Sequence, residues 1–266
     1  MQVAIQTRHT VVRNWRIRFM LASVLVFSAA FPALIMAEDP PANLTRLIAA
    51  RETETAQVQS NYTYRQTVTL DEMNPSGLIQ GTYSEVRDII FSPAQERSEQ
   101  MVGKPFATLT HLKLTDEDFR DMREIQPFLL TKEQAFLYQT QFRGEEAMDG
   151  VDCFVVQISP RQILDGQRLF DGMLWVSKKD YSVIRSEGQA VPQIHTLKSE
   201  NLFPHFTTLR QKVDGDFWFP VTTYGDDTLY FKGGAQRVRL TIRYTEYHRF
   251  GADSKITFDK QAEPGH

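Results

Sequence analysis

The sequence contains very little cysteine. Cys153 is the single cysteine among 266 residues, so no disulfide can form within the chain and a disulfide-stabilised framework is excluded. Cys153 lies in the apolar run 151–158, where we expect it to pack as a small hydrophobic side chain. A catalytic thiol would need a histidine partner, and no histidine lies close to it in the sequence.

Common catalytic and cofactor motifs are also missing. The sequence has no Gly-x-Ser-x-Gly nucleophile motif, no glycine-rich phosphate loop and no dinucleotide fingerprint. Outside the first 37 residues and the last residue, the histidines are His111, His195, His205 and His248. No two of them have the short spacing of a metal site. We therefore predict a protein that is not an enzyme and that needs no metal or cofactor.

Two clusters of acidic residues leave other chemistry open. Carboxylates occur together at residues 116–118 and again between residues 214 and 227. Such clusters can serve glycoside hydrolysis or bind calcium. Capping of a helix explains the first cluster more simply, and two turns explain the second.

Acidic residues are absent from the first 37 positions, which hold four arginines. Arg13, Arg16 and Arg18 precede an apolar run over residues 19–37, the order of a secretory signal peptide. We predict cleavage near Ala37 and a mature protein in the periplasm or outside the cell. An uncleaved membrane anchor is the alternative, because the run is almost long enough to span a bilayer.

Beyond residue 37 the chain holds 26 basic and 33 acidic residues. This excess of negative charge makes nucleic acid an improbable partner. Arg237, Arg239 and Arg243, together with Arg210 and Lys212 on a neighbouring strand, can form a basic stripe for anionic headgroups or an acidic partner. The alternative is the ordinary solvated face of a sheet.

The pattern after the leader begins with one helix and continues with strands. Apolar residues at roughly helical spacing predict an amphipathic helix over residues 43–60. From Tyr62 onward the pattern has period two, and turn residues recur every 8 to 15 positions. The clearest alternation places Val238, Leu240, Ile242 and Tyr244 opposite arginines and threonines. The sequence therefore predicts a long antiparallel meander.

A short helical insertion interrupts this meander. Thr115 followed by Asp118 predicts a capping box. Phe119, Met122 and Ile125 then recur on one helical face before Pro127 ends the helix, and apolar residues 128–130 continue into a second short element.

These elements predict one domain over residues 38–255, followed by a C-terminal tail over residues 256–266. Its fold class is mainly β with a helical lid, α+β in the broad sense. The architecture is a single curved antiparallel sheet covered by the N-terminal helix and the helical insertion, because a sheet with one apolar face needs a cover. Whether the space beneath the cover is filled or hollow stays open.

One hairpin of the sequence resembles a known family. Residues 171–188, with Trp175-Val, a Lys-Lys-Asp turn and Arg185 in the returning strand, are similar to a hairpin of the LolA/LolB-like outer-membrane lipoprotein-sorting superfamily. Residues 148–160 resemble its neighbouring strand pair, and the order of elements agrees over residues 43–250. The stretch 203–250 is longer than in the short carrier proteins, which puts the cargo in question.

This resemblance implies a half-open β-barrel, closed by helices over an apolar cavity, that carries lipoprotein acyl chains or other lipids through the periplasm. It supplies no catalytic residue. We accordingly predict a non-enzymatic exported protein that carries or senses a lipid, a lipoprotein acyl chain or another hydrophobic ligand. An envelope sensor with a membrane-protein partner and a secreted hydrolase are the alternatives. The candidate ligand-binding residues are Tyr62, Tyr64, Val68, Trp175 and Leu240 from the sheet, and Phe119, Met122 and Ile125 from the lid.

Overall fold

The computed structural model describes residues 39–92, 94–196 and 200–249. The predicted leader and the predicted C-terminal tail lie outside these residues. The helices are α1 (Leu44–Gln59), α2 (Asp116–Glu124) and α3 (Lys132–Ala135). The strands are β1 (Tyr62–Met73), β2 (Ile79–Phe91), β3 (Arg97–Met101), β4 (Phe106–Ala107), β5 (Tyr138–Met148), β6 (Val151–Pro160), β7 (Leu169–Ser177), β8 (Val183–Val191), β9 (Ile194–His195), β10 (Glu200–Asn201), β11 (Phe206–Asp214), β12 (Phe217–Phe231) and β13 (Gly234–Arg249).

Eleven of the strands form one curved antiparallel sheet. Its order is β3-β2-β1-β13-β12-β11-β8-β7-β6-β5, with β4 added beside β2, while β9 and β10 form a separate small hairpin. The two outermost strands of this order, β3 and β5, are not paired with each other in the part of the chain described, so the sheet is open. The fold class predicted from the sequence is confirmed.

Alternating burial explains why this sheet needs a cover. In β1 every second residue from Tyr62 to Leu70 is buried, and in β13 the buried residues are Val238, Leu240, Ile242 and Tyr244. Successive side chains of a strand point to opposite faces, so these residues share one apolar face. That face packs against the helices and forms the main hydrophobic core.

Helix α1 agrees with its predicted range to within one residue at each end. Its buried side chains recur every three or four residues from Leu44 through Ile48, Glu52 and Thr55 to Gln59, the spacing of one helical face. Within the described ranges, no helix is long and apolar enough to cross a membrane.

The helical insertion comprises α2, α3 and the residues between them. The predicted capping box is confirmed: Thr115 Oγ1 accepts a hydrogen bond from the Asp118 backbone N–H, and Asp118 Oδ2 accepts one from the Thr115 backbone N–H at 2.7 Å. Phe128 and Leu130 are buried in the non-helical segment that joins the two helices. The second helix therefore begins later than the apolar residues 128–130 suggest.

A buried ion pair ties α1 to the sheet. Arg210 on β11 donates from its guanidinium to Glu52 Oε2 at 2.8 Å, and both side chains are almost completely buried. Arg210 also donates to the backbone carbonyl of Phe128 in the insertion. The predicted basic stripe is therefore wrong for Arg210, which lies on the core face of β11 together with Phe206 and Thr208. Arg243 on β13 is exposed as expected.

Two glycines face each other in neighbouring strands. Gly172 on β7 lies directly opposite Gly188 on β8. The ring of Phe170 approaches the positions that a side-chain Cβ would occupy at both glycines. This close approach lets Phe170, which is fully buried, pack between Phe128 of the insertion and Phe206 of β11.

Candidate functional site

A cavity of about 430 Å³ opens at one end of the sheet, where β1, β12 and β13 meet residues 111–118 and residues 200–204. We call it the apolar cavity. Its apolar lining includes Leu70, Leu112, Leu114, Met122, Leu202, Phe203, Leu229, Phe231, Val238 and Leu240. Polar side chains at its rim are His111, Lys113, Glu200 and Gln236. A volume of several hundred Å³ with a mostly apolar lining and few polar groups is typical of small-molecule sites.

The structure brings most of the predicted ligand-binding residues into the same core but only two of them into the cavity lining. Met122 and Leu240 line the apolar cavity. Tyr64, Val68 and Ile125 are buried members of the main core.

The other three predicted residues lie elsewhere. Tyr62 is buried with its ring edge-on to Phe219, at 5.2 Å between ring centroids. Phe119 is half-buried and packs against that core beside Tyr83. Trp175 belongs to a separate small cluster with Cys153 and Ile184, so the structure does not bring it together with the other predicted residues.

Two lining segments were not recognised in the sequence. Residues 111–114 form an irregular segment that lines the cavity, and β10 with residues 202–204 supplies the second. The alternation of Leu112 and Leu114, and the Leu202-Phe203-Pro204 run, are the signals that mark them. Both runs are too short to predict an element on their own.

Glu72 fixes the first of these segments at the end of β1. The fully buried carboxylate accepts hydrogen bonds from the backbone N–H groups of Thr110 at 2.8 Å and His111 at 2.6 Å, from the Thr110 hydroxyl, and from His111 Nδ1. Burial alone would raise the pKa of Glu72, but these donors outweigh it and hold the pKa below its ordinary value. The rim of the cavity is thus anchored to the sheet by an ionised side chain.

A buried polar network fixes the second segment against the insertion. Arg168 donates to Asp121 Oδ2 at 2.7 Å and to Asn201 Oδ1 at 2.8 Å. Asn201 Nδ2 in turn donates to Asp118 Oδ1 at 3.0 Å and to Thr115 Oγ1 at 3.1 Å. The Arg168 guanidinium thus joins Asp121 of α2 to Asn201 of β10, and Asn201 in turn holds Asp118. Both Asp118 and Asn201 line the apolar cavity.

One carboxyl group of this network has a strongly raised pKa. Burial raises the pKa of Asp121 to about 7, Arg168 opposes that rise and Asp118 adds to it. Burial also raises the pKa of Asp118. Asp121 Oδ1 has no hydrogen-bond partner and is the free oxygen that can carry the proton.

We expect Asp121→Asn to remove a pH-dependent loss of stability. Because the folded pKa is raised, the native protein holds a proton between about pH 4 and 7 that the unfolded chain releases. The free energy of unfolding should therefore fall as pH rises through that window, by roughly 1 to 3 kcal/mol from this group. Urea unfolding at pH 5 and at pH 8 measures the difference. The wild type should show the loss, and Asp121→Asn should retain only the smaller part that comes from Asp118.

Asp116→Asn is the matched control, because Asp116 lies exposed on the same helix. It should keep the pH dependence of the wild type. Equal slopes for the wild type and both variants would show that Asp121 ionises at its ordinary pKa.

Groups suited to metal or thiol chemistry are scarce. In residues 39–92, 94–196 and 200–249, no group of three or more His, Cys, Asp or Glu is arranged to hold a metal ion. Cys153 is buried, and burial first, then the nearby carboxylates of Asp152 and Glu146, raise the pKa of its thiol to about 11. A thiolate nucleophile at this position is therefore disfavoured.

Comparison with known proteins finds similarity only at the level of three-dimensional structure. No family model and no curated protein matches the sequence. A DUF1329 family protein from Desulfovibrio piger has 16% identity and a TM-score of 0.43, covering 82% of this chain and 96% of its own.

Two further solved structures resemble the chain more distantly. A putative outer membrane lipoprotein-sorting protein domain from Vibrio parahaemolyticus has 12% identity and a TM-score of 0.33, covering 77% of this chain and 94% of its own. A LolA superfamily protein from Nitrosomonas europaea has 13% identity and a TM-score of 0.30, covering 75% and 94%. LolA superfamily structures are thus among the matches, in agreement with the resemblance found in the sequence. The similarity concerns the fold and says nothing of a ligand.

Proposed function

We propose that the protein is an exported, non-enzymatic binding protein that holds the hydrocarbon part of a lipid or lipoprotein acyl chain in the apolar cavity. The observation that supports this most directly is the cavity itself, with a lining made mostly of leucine, methionine and phenylalanine side chains and with Asp118 and Asn201 as its buried polar residues. Each buried methylene group stabilises the complex by about 0.8 kcal/mol. A hydrocarbon chain can therefore bind without a specific polar constellation.

The order of residues 1–37 supports a function in the cell envelope. A basic, then apolar, then small-residue segment directs a protein to the secretory route, and the net negative charge of the remaining chain argues against nucleic acid as a partner. A carrier or sensor of lipids fits this location.

We expect Leu202→Trp to abolish most of the binding of a fluorescent acyl probe. Leu202 lines the cavity from the segment after β10, so a larger side chain there should occupy the space of the ligand. Because Leu202 is also buried in the main core, circular dichroism must show that the variant is folded. The dissociation constant, measured by fluorescence titration, should rise at least about tenfold, the equivalent of 1.4 kcal/mol.

Leu209→Trp is the matched control, since Leu209 is exposed on β11 and lies outside the cavity lining. It should bind the probe as the wild type does. Binding that is unaffected in both variants would place the ligand elsewhere, and a wild type that binds no acyl probe would refute the proposal.

The natural ligand can be sought directly. Native mass spectrometry of protein extracted mildly from its own envelope should show a bound lipid. A membrane protein that co-purifies in place of a lipid would favour the sensor alternative, and turnover of an ester or glycoside substrate would favour the hydrolase.

A further inference from the structure

A second cavity adjoins the apolar one at the same end of the sheet. It has a volume of about 550 Å³ and lies around the turn between β1 and β2. We call it the polar cavity. His111, Ala235 and Gln236 line both cavities, so the two cavities are direct neighbours.

The lining of the polar cavity differs in chemistry from that of the first. Asn74, Gln80, Thr228 and Gln236 supply neutral polar side chains, and His111 and Arg237 supply the basic ones. No acidic residue is among those found to line it. The apolar cavity, in contrast, has the carboxylates Asp118 and Glu200 in its lining.

Arg237 at the polar cavity belongs to a trio of charged side chains with Asp226 and Arg239. Asp226 accepts hydrogen bonds from Arg237 Nε at 2.9 Å and from Arg239 Nε and Nη2 at 3.1 and 2.9 Å. Hydrogen bonds from Arg237 and Arg239 hold the pKa of Asp226 below its ordinary value, so the carboxylate is ionised. One negative charge is shared by two guanidinium groups, which leaves the trio with one net positive charge.

His111 lies at the junction of the two cavities, and one of its ring nitrogens already has a partner. Its Nδ1 contacts the Glu72 carboxylate, whose two oxygens are also engaged by donors of Thr110 and by the His111 backbone. The histidine side chain remains about 60% exposed. Its Nε2 edge is therefore exposed at the junction, where it donates to an anionic group when the imidazole carries both protons.

We propose that the two cavities bind a single amphiphile, with its hydrocarbon chain in the apolar cavity and an anionic headgroup, a carboxylate or phosphate, in the polar cavity against Arg237 and His111. This proposal rests on the proposed function, because it needs the chain to occupy the first cavity. It adds the charge of the ligand, which the apolar cavity alone does not specify. A guanidinium suits this use because its planar set of donors matches carboxylate and phosphate oxygens.

The test compares three probes of equal chain length by titration calorimetry below their micellar concentrations: dodecanoate, dodecanol and dodecylammonium. Dodecanoate should bind about tenfold more tightly than dodecanol, as expected for a hydrogen bond to a charged group, and dodecylammonium should bind most weakly. The preference for dodecanoate should decrease as the salt concentration rises from about 0.01 M to about 1 M, since screening shortens the range of the charge interaction.

Substitutions locate the charge that causes the preference. Arg237→Gln should reduce the ratio of dodecanoate to dodecanol affinity to nearly one, and His111→Gln should reduce it in part. Arg243→Gln is the matched control on the same strand, because Arg243 is exposed and lines neither cavity. It should keep the ratio of the wild type. If Arg237→Gln does not fold, His111→Gln and the salt dependence of the wild type decide the question.

The possible failures are distinguishable. If dodecanol binds and dodecanoate has no advantage, the headgroup proposal is wrong and the proposed function stands. If a preference exists but Arg237→Gln and His111→Gln both keep it, the anion binds elsewhere and the proposal is likewise overturned. If none of the three probes binds, the proposed function and this inference fail together.

Discussion

Alanine at Gly172 or at Gly188 is expected to prevent stable folding of the sheet. A Cβ atom at Gly172 would lie 2.1 Å from the carbonyl oxygen of Glu187, and one at Gly188 would lie 2.2 Å from that of Asp171. Both would also lie 2.8 Å from the Phe170 ring. A clash with backbone in a paired strand cannot be relieved by a rotamer change, so the cost should exceed the usual 1 to 3 kcal/mol of overpacking and reach about 4 kcal/mol or more.

Urea unfolding followed by circular dichroism measures this effect. Gly233→Ala is the matched control, because nothing lies within 4 Å of a Cβ at Gly233 and its backbone is not left-handed. That variant should unfold at nearly the midpoint of the wild type. Wild-type stability in Gly172→Ala or Gly188→Ala would show that the two strands can separate without loss.

The same two glycines also affect how the helical insertion packs on the sheet. Phe170 stacks on Phe128 of the insertion with ring centroids 4.8 Å apart, and its ring lies 5.9 Å from that of Phe206. The two glycines leave the room that this ring occupies. A side chain at either position would therefore disturb both the sheet and the packing of the insertion against it.

Alternation and capping residues made much of this fold predictable. The inward face of β13, the capping box at Thr115 and the helix after Asn43 follow from local patterns, since each depends on residues close together in the sequence. The hairpin of β7 and β8 follows from its turn and its family resemblance. These are the parts of the structure in which local preference and tertiary packing agree.

Long-range packing determines what the sequence did not reveal. Trp175 is a large apolar residue of the kind expected in the core, yet it lies in a separate cluster. Its indole N–H donates to Glu146 at 2.8 Å, and the Arg185 guanidinium lies 4.3 Å from its ring. On a strand face that no helix covers, charged side chains pack against the tryptophan, and these charged partners lie elsewhere in the sequence. The position of Glu72 beneath the cavity rim has the same origin, because its donors lie 38 and 39 residues away.

The cavity itself is the hardest feature to predict. Its lining comes from six separate parts of the chain, and only some of its apolar residues stand in periodic patterns recognised in the sequence, namely Leu70, Met122, Val238 and Leu240. Apolar residues that line a cavity and apolar residues that fill a core have the same composition and spacing. The difference between them appears only when the elements are packed.

We expect Arg210→Met to destabilise the fold by about 3 to 5 kcal/mol. The change would leave the Glu52 carboxylate buried without its cation and the Phe128 carbonyl without its donor. Coulomb attraction compensates the burial of two charges only while both are present. Lys212→Met on the same strand is the matched control, because Lys212 pairs with Asp216 at an exposed position, where such pairs contribute less than about 1 kcal/mol.

The double variant Glu52→Leu with Arg210→Met separates the ion pair from the packing of the two side chains. Removing both charges leaves no unpaired ion in the core, so the double variant should recover a large part of the stability lost by Arg210→Met. If the double variant lost as much stability as the two single variants together, this explanation would be contradicted. Arg210 joins α1, β11 and the insertion, so acyl-probe binding should weaken in Arg210→Met. Binding should return in the double variant only if apolar packing alone can hold the insertion against the sheet.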